Sequence, residues 1–346
     1  MRSTSRSTRP AHRNGAFAAL VIAGVLPALI APNATAATVE RLSGADRYGT
    51  GAEVSKAAFP AGAVPVAYIA TGENFPDALA GGAAASHAGG PLLLVEKDAV
   101  PPAVATELTR LKPKRIVILG GSDVVSAAVA TALQAFTVGN VTRDSGADRY
   151  ETALATSQHA FTDGFGGTAI LATGENYPDA LSAGSLFSGH HGPVLLTAPG
   201  GGLSDALVTE FKRLKPTEVL ILGGTDVVSD VVVADLTDLG FKPTRLSGDD
   251  RYATSAAIAR FAFPAGKAPT RVLVTTGNNF PDGVAAGPLA AVDKSPILLA
   301  GGTCWDAATL TFLQTANPTI YTYIGGPGVV PVVSGTQLEC APPLPG

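Results

Sequence analysis

Short apolar runs of strand length alternate along the chain with stretches whose apolar residues recur at helical spacing. Val66 to Thr71, Pro91 to Val95 and Ile116 to Leu119 each form a brief continuous apolar run, the pattern of a strand covered on both faces. Between them Val104, Leu108 and Leu111 fall on one helical stripe, as Leu207, Phe211 and Leu214 do about a hundred residues later. Asp46 or its neighbour caps a small-residue helix running toward Phe59, Pro76 stands where another helix starts, and Val125 to Leu133 supplies one more. This alternation predicts a parallel sheet with helices on both faces and right-handed crossovers.

The pattern occurs three times. Arg41-Leu42-Ser43-Gly44-Ala45-Asp46-Arg47-Tyr48 returns from Arg143 to Tyr150 and from Arg245 to Tyr252, each 102 residues after the last. Thr71-Gly72-Glu73-Asn74-Phe75-Pro76-Asp77 recurs from Thr173 to Asp179 and from Thr276 to Asp282, and Gly120-Gly121 recurs as Gly223-Gly224 and Gly325-Gly326. Such a period exceeds a solenoid unit and suits compact domains of about 100 residues. The expected layout is a signal peptide over 1–36, repeats over 38–140, 141–242 and 243–341, and a loose Pro-rich tail over 342–346.

The signal peptide rests on Arg2, Arg6, Arg9 and Arg13, the apolar run Ala16 to Ile30, and Ala34-Thr35-Ala36 before the cut. That run is short for a spanning helix, so no membrane association is expected after cleavage. Removing the four leader arginines takes the formal net charge from −4 to about −8, which argues against a nucleic-acid surface and means that any polyanion must be held by local groups. Cys304 and Cys340 lie in an exported chain, where a disulfide between them is expected.

Candidate chemistry sits in the recurring blocks. Thr71, Thr173 and Thr276 end strands, and Asn74 and Asp77, Asn176 and Asp179, and Asn279 and Asp282 follow at the start of a helix, the edge where open α/β sheets take ligands. The aspartates either accept sugar hydroxyls or stabilise the helix start, and both readings stand. Arg41 and Arg47 flank Asp46, as Arg143 and Arg149 flank Asp148, and Arg245 and Arg251 flank Asp250. A guanidinium fork grips phosphate or carboxylate with two hydrogen bonds; alternatively, arginine and aspartate pair with each other between repeats, with Tyr48 beneath. The double glycines lack the spacing of a dinucleotide or phosphate loop and read as strand-to-helix turns. His87, His159, His190 and His191 have no counterparts in the third repeat, so a histidine-based catalytic or metal centre shared by three repeats is excluded, and His190-His191 reads as a solvated loop. No catalytic residue, metal or cofactor is expected.

Arg-x-Ser-Gly-x-Asp-Arg-Tyr-x-Thr, Thr-Gly-Glu-Asn-Phe-Pro-Asp-Ala, Pro-Leu-Leu-Leu and Ile-Leu-Gly-Gly before Val-Val-Ser together resemble the cell wall binding repeat 2 family of Gram-positive surface proteins. The resemblance implies three α/β units around a pseudo-threefold axis and non-covalent attachment to an anionic cell-wall polysaccharide. It places the chain outside the cell, on the wall. The third repeat departs from the pattern, with Asn278 for the glutamate, Gly283-Val284 for Ala-Leu, and Pro327-Gly328 and Pro331 near the double glycine. Two further readings remain: an enhancer of a wall hydrolase or a glycan-active enzyme, whose paired acids would have to stand about 5 to 10 Å apart across a sugar bond, and a structural surface-layer component. Another wall protein or hydrolase is the corresponding protein partner.

Overall fold

The computed structural model describes residues 37–62, 64–74 and 76–333, together with Met1 and Cys340. The expected signal peptide and the tail lie outside the described residues. The described residues from Ala37 onward form one compact body.

A strand, β1 (Thr38–Leu42), and a helix, α1 (Arg47–Ala58), precede the first unit. That unit runs β2 (Ala67–Thr71), α2 (Pro76–Ala88), β3 (Leu92–Val95), α3 (Pro102–Leu111), β4 (Ile116–Leu119), α4 (Ala127–Leu133) and β5 (Val141–Asp144). After α5 (Arg149–Ala160), the second unit repeats the plan with β6 (Thr168–Thr173), α6 (Pro178–Ser182), β7 (Val194–Thr197), α7 (Asp205–Leu214), β8 (Glu218–Leu222), α8 (Asp230–Asp238) and β9 (Pro243–Leu246). The third follows α9 (Arg251–Ala262) with β10 (Arg271–Thr276), α10 (Pro281–Val284), α11 (Ala286–Asp293), β11 (Ile297–Ala300), α12 (Ala307–Ala316) and β12 (Ile320–Ile324).

Each sheet has four parallel strands, in the orders β3-β2-β4-β5, β7-β6-β8-β9 and β11-β10-β12-β1. Three strands per unit are legible as apolar runs; the fourth is not. It is the half-exposed opening of the following sequence repeat, with Arg143 facing Ile118 and Arg245 facing Ile221. In the third sheet that place is filled by the first strand of the chain, with Arg41 opposite Tyr323. The first and last strands therefore close the three units into a ring.

Alternate residues of each strand serve two cores, as the pleat requires. In the first unit Ile69, Leu93 and Ile118 point outward to Val104, Leu108 and Leu133 of α3 and α4. Tyr68, Leu92, Leu94 and Leu119 point inward to α2, in a core continuous with Ile170, Leu220 and Phe187 of the second unit and Val284 of the third. This accounts for the near-continuous apolar runs: both faces of the sheet are buried. Around the centre, α2 packs on α5 and α11, and α6 packs on α9. Gly82, Gly184 and Gly287 occupy matching positions on the inner helices. A methyl group on Gly184 would lie 2.3 Å from Ile297 Cδ1 and 3.1 Å from the Gly287 Cα, so glycine sets how closely these helices approach.

Cys304 and Cys340 form the disulfide that the sequence leads one to expect, and the Cys340 amide donates to the Trp305 carbonyl at 2.8 Å. Among the described residues no helix is long and apolar enough to cross a membrane.

Candidate functional site

The three recurring blocks meet at the boundaries between units. At the end of β2, the buried Thr71 hydroxyl accepts a hydrogen bond from the Glu73 amide at 3.1 Å, and Thr173 and Thr276 do the same for Glu175 and Asn278. These threonines shape the turn and are themselves buried. The turn delivers Asp77 to the start of α2, where its carboxylate lies over Gly120. A methyl group on Gly120 would come within 2.3 Å of Asp77 Oδ2, and the same holds for Gly223 with Asp179 at 2.5 Å and Gly325 with Asp282 at 2.6 Å. These glycines also have φ of +95°, +100° and +114°, so glycine is required twice over.

Across the boundary stands the start of the next long helix. Asp148 Oδ1 accepts from the Tyr150 and Glu151 amides at 2.9 Å, Asp250 accepts from Tyr252 and Ala253, and Asp46 accepts from Gly49. Each motif aspartate is therefore an N-cap. The motif arginines donate to turn carbonyls. Arg47 donates to the Gly72 carbonyl at 2.5 Å, and Arg149 and Arg251 donate to Gly174 and Gly277 at 2.6 Å. Arg41, Arg143 and Arg245 hold the double-glycine turns by donating to the carbonyls of Gly325, Gly120 and Gly223 at 2.5, 2.5 and 2.9 Å. Arg143 also reaches the Val125 carbonyl, and Arg245 reaches Asp230.

The acid that faces the arginine comes from the neighbouring unit. Asp77 feels the charge of Arg149 and accepts from the Thr152 hydroxyl, Asp179 faces Arg251, and Asp282 faces Arg47 and accepts from Thr50. Thr152 in turn accepts from the Gly146 amide at 3.2 Å, with Thr50 and Thr254 bonded likewise to Gly44 and Gly248. Burial raises the pKa of all three acids, with the neighbouring arginine opposing the shift; Asp179 is pushed up to about 6. The aspartate that feels each of these arginines thus comes from the other block, whereas the arginine and aspartate expected to pair with each other belong to one block.

A crevice opens at these boundaries. Between the first and second units it has a volume of about 350 Å³ and is lined by Asn74, Asp77, Gly121, Asp123, Asp148, Arg149 and Thr152. Between the second and third its volume is about 210 Å³, and it is lined by Asn176, Asp179, Gly224, Asp226, Asp249, Asp250 and Arg251. At the third boundary Gly328 stands where Asp123 and Asp226 stand, and Asn279 turns its Oδ1 back to the Phe280 amide. Carboxylates outnumber guanidinium groups in both lined crevices. They present acceptors for hydroxyl groups with one arginine fork each.

Tyr48, Tyr150 and Tyr252 complete the site. Each ring lies against the glycine of the Thr-Gly turn, where a methyl group would fall 2.5 to 2.6 Å from the ring edge. The Tyr150 hydroxyl donates to Glu175 at 2.7 Å, and burial with this carboxylate pushes its pKa up to about 12. His190 departs from the expected solvated loop: its Nδ1 lies 2.7 Å from Glu218 Oε2 and its ring packs on Phe261 of the third unit. Among the described residues no group of three or more histidine, cysteine or acidic side chains is placed to hold a metal ion.

The family model for cell wall binding domain 2 matches this chain three times, over residues 41–130, 143–233 and 245–332. The chain belongs to the cell wall binding domain 2 family. Two solved structures share its fold: Cwp8 from Clostridium difficile, with a TM-score of 0.75 and 30% identity over 84% of this chain and 49% of that one, and Cwp6 from the same organism, with a TM-score of 0.78 and 27% identity over 88% and 48%. Among curated proteins, the chain is 30% identical to the N-acetylmuramoyl-L-alanine amidase LytC of Bacillus subtilis over 47% of its own length and 32% of LytC. It is 34% identical to the Amidase enhancer of the same organism over 38% of its length and 18% of that protein. The chain thus spans a third or less of these curated relatives. Within the cell wall binding domain 2 fold, each family match opens on a strand that completes the preceding sheet.

Proposed function

We propose that this chain is a secreted, wall-associated protein that holds an anionic wall polysaccharide non-covalently, without cutting it, in the crevices between its units. The observation that carries this reading is the boundary itself. Two units supply one site, in which Asp77, Asn74 and Gly121 face Asp148, Arg149 and Thr152, and the arrangement recurs around the ring. A polymer with a regular repeat can engage equivalent sites at once, which multiplies weak contacts into firm retention. The crevices carry more acid than base, so aspartate and asparagine read the sugar hydroxyls while the arginine fork takes the polymer's charged group. Family membership supports the wall as the place of action.

The test is retention of the purified protein on isolated walls before and after the phosphate- or carboxylate-bearing polymers are stripped. Retention on intact walls and loss on stripped walls is expected; equal retention on both removes the proposal. The likeness to the Amidase enhancer favours a second reading, in which the bound chain assists a wall hydrolase. Under that reading, adding the chain to a purified wall amidase accelerates solubilisation of walls, whereas the chain alone releases nothing.

A further inference from the structure

In the first two units the gap between the ends of two outer helices is closed by a buried polar lock. Ser55 donates to Glu107 at 2.5 Å, and Arg110 grips Glu107 through Nε and Nη2 at 2.7 and 2.6 Å while donating to the Phe59 carbonyl at 2.9 Å. Ser157, Glu210, Arg213 and the Phe161 carbonyl repeat this in the second unit. The third unit has Ala259, Phe312 and Thr315 in these places, and no lock forms. A cleft of about 380 Å³ lies there instead, with Phe261, Phe263, Pro264, Phe312 and Ala316 among its lining residues.

The rim of this cleft is cationic. Arg260 lines it, is exposed, and has no hydrogen bond or ion pair among the described residues. Lys267 lies in the same turn as the lining residues Pro264, Ala265 and Gly266, and among the described residues no acid lines the cleft. Phe261 is particular to this unit, its counterparts being Ala57 and His159. The cleft therefore joins an aromatic floor to an uncompensated positive lip. Among the described residues it offers Thr315 and Arg260 as its only polar side chains, too few for a sugar's hydroxyls. Its volume of about 380 Å³ lies at the small end of the range of ligand pockets, roughly 300 to 1,000 Å³, and suits a small group such as one or two side chains.

We propose that this cleft docks a short segment of a partner protein in which an aromatic or branched apolar side chain stands beside a carboxylate. The apolar group fills the space that Glu107 and Arg110 close in the first unit, and the carboxylate meets Arg260. The cleft sits at the carboxyl ends of α9 and α12, and the boundary crevices sit at helix amino ends. Parallel strands with return helices put these at opposite edges of the sheet, so a chain seated on the wall keeps the cleft free.

The test is panning of a phage-displayed library of random dodecapeptides against the purified protein, followed by binding of the synthetic consensus. The enriched peptides are expected to carry Phe, Trp, Tyr or Leu within two positions of Asp or Glu. Binding of the consensus is expected to weaken about fivefold in Arg260→Gln, and about tenfold or more when Ala259→Ser, Phe312→Glu and Thr315→Arg together install the lock of the other units. Circular dichroism confirms the fold of each variant, and R260Q, an exposed change, remains informative if the triple variant does not fold. Enrichment without the acidic-apolar pattern, or binding that survives R260Q undiminished, overturns the proposal. So does capture of phosphatidylglycerol vesicles in place of peptide, or self-association in sedimentation that R260Q abolishes. Wall retention is read separately and does not depend on this cleft.

Discussion

Asp77 of the first unit accepts a hydrogen bond from Thr152, which belongs to the helix leading into the second, and the same hydroxyl accepts from the Gly146 amide. One methyl-sized group thus ties an acid, a turn and a unit boundary together. Thr152→Val keeps the shape and removes both bonds. It is expected to cost about 1 to 3 kcal/mol of stability, because the half-buried carboxylate and an amide lose their partner. Urea unfolding measures this, with the exposed Thr131→Val as control; equal midpoints for the two variants contradict the bond's role.

Acidity should stabilise the boundary between the second and third units. Burial raises the pKa of Asp179 to about 6, above its value in the unfolded chain near 3.9, so the folded state binds the proton more tightly. The contribution is fully present below about pH 4 and is lost as pH rises through about 6. Asp179→Asn removes this dependence. It is expected to be more stable than the parent at pH 7, by about 1 kcal/mol after allowance for partial exposure, and no more stable at pH 4. Thermal unfolding across that window reads the difference; a parent curve that rises toward neutral pH relative to the variant contradicts it.

The lock of the first unit should be costly to break and cheap to remove. Glu107 is fully buried and its carboxylate answers both Ser55 and Arg110. Glu107→Leu alone strands the guanidinium and is expected to cost about 3 to 5 kcal/mol. Adding Ser55→Ala and Arg110→Thr, which imitates the third unit, should recover most of the loss. Chemical denaturation of the single and triple variants measures the recovery.

Arginine at the boundary should matter more for retention than for charge in bulk. Replacing Arg47, Arg149 and Arg251 by alanine is expected to weaken wall retention about tenfold or more, while retention by the parent falls only modestly between about 0.05 and 0.5 M salt, since one fork per crevice stands among several carboxylates. Arg143→Ala acts through the Gly120 and Val125 carbonyls and should lower the melting temperature. Sedimentation with walls and a melting scan on the same samples separate the two effects.

Much of this arrangement was legible from residues alone. Leu92 to Val95 reads as a strand because both of its faces are apolar, and Asn74 and Asp77 fall at the sheet edge because a strand ends at Thr71. Thr38 to Leu42 does not read as a strand: it is short and half exposed, and its pairing depends on Ile320 to Ile324 at the far end of the chain. Glu107 and Arg110 look like an ordinary surface pair one helical turn apart. Only Ser55, 52 residues away from Glu107, shows that the acid is inside. The partner of Asp77 was hidden for the same reason, since no local pattern reports which helix crosses a unit boundary.

The clasp of β1 on β12 sets an order of events. β1 is made well before its hydrogen-bonding partner β12, Thr38 lying opposite Ile320, so it waits, unpaired, while the other two sheets gain all their strands. Circularity obtained in this way is completed late and all at once. The ring forms only when β1 meets β12, and a chain cut short before Ile320 leaves both the third sheet and the seam open.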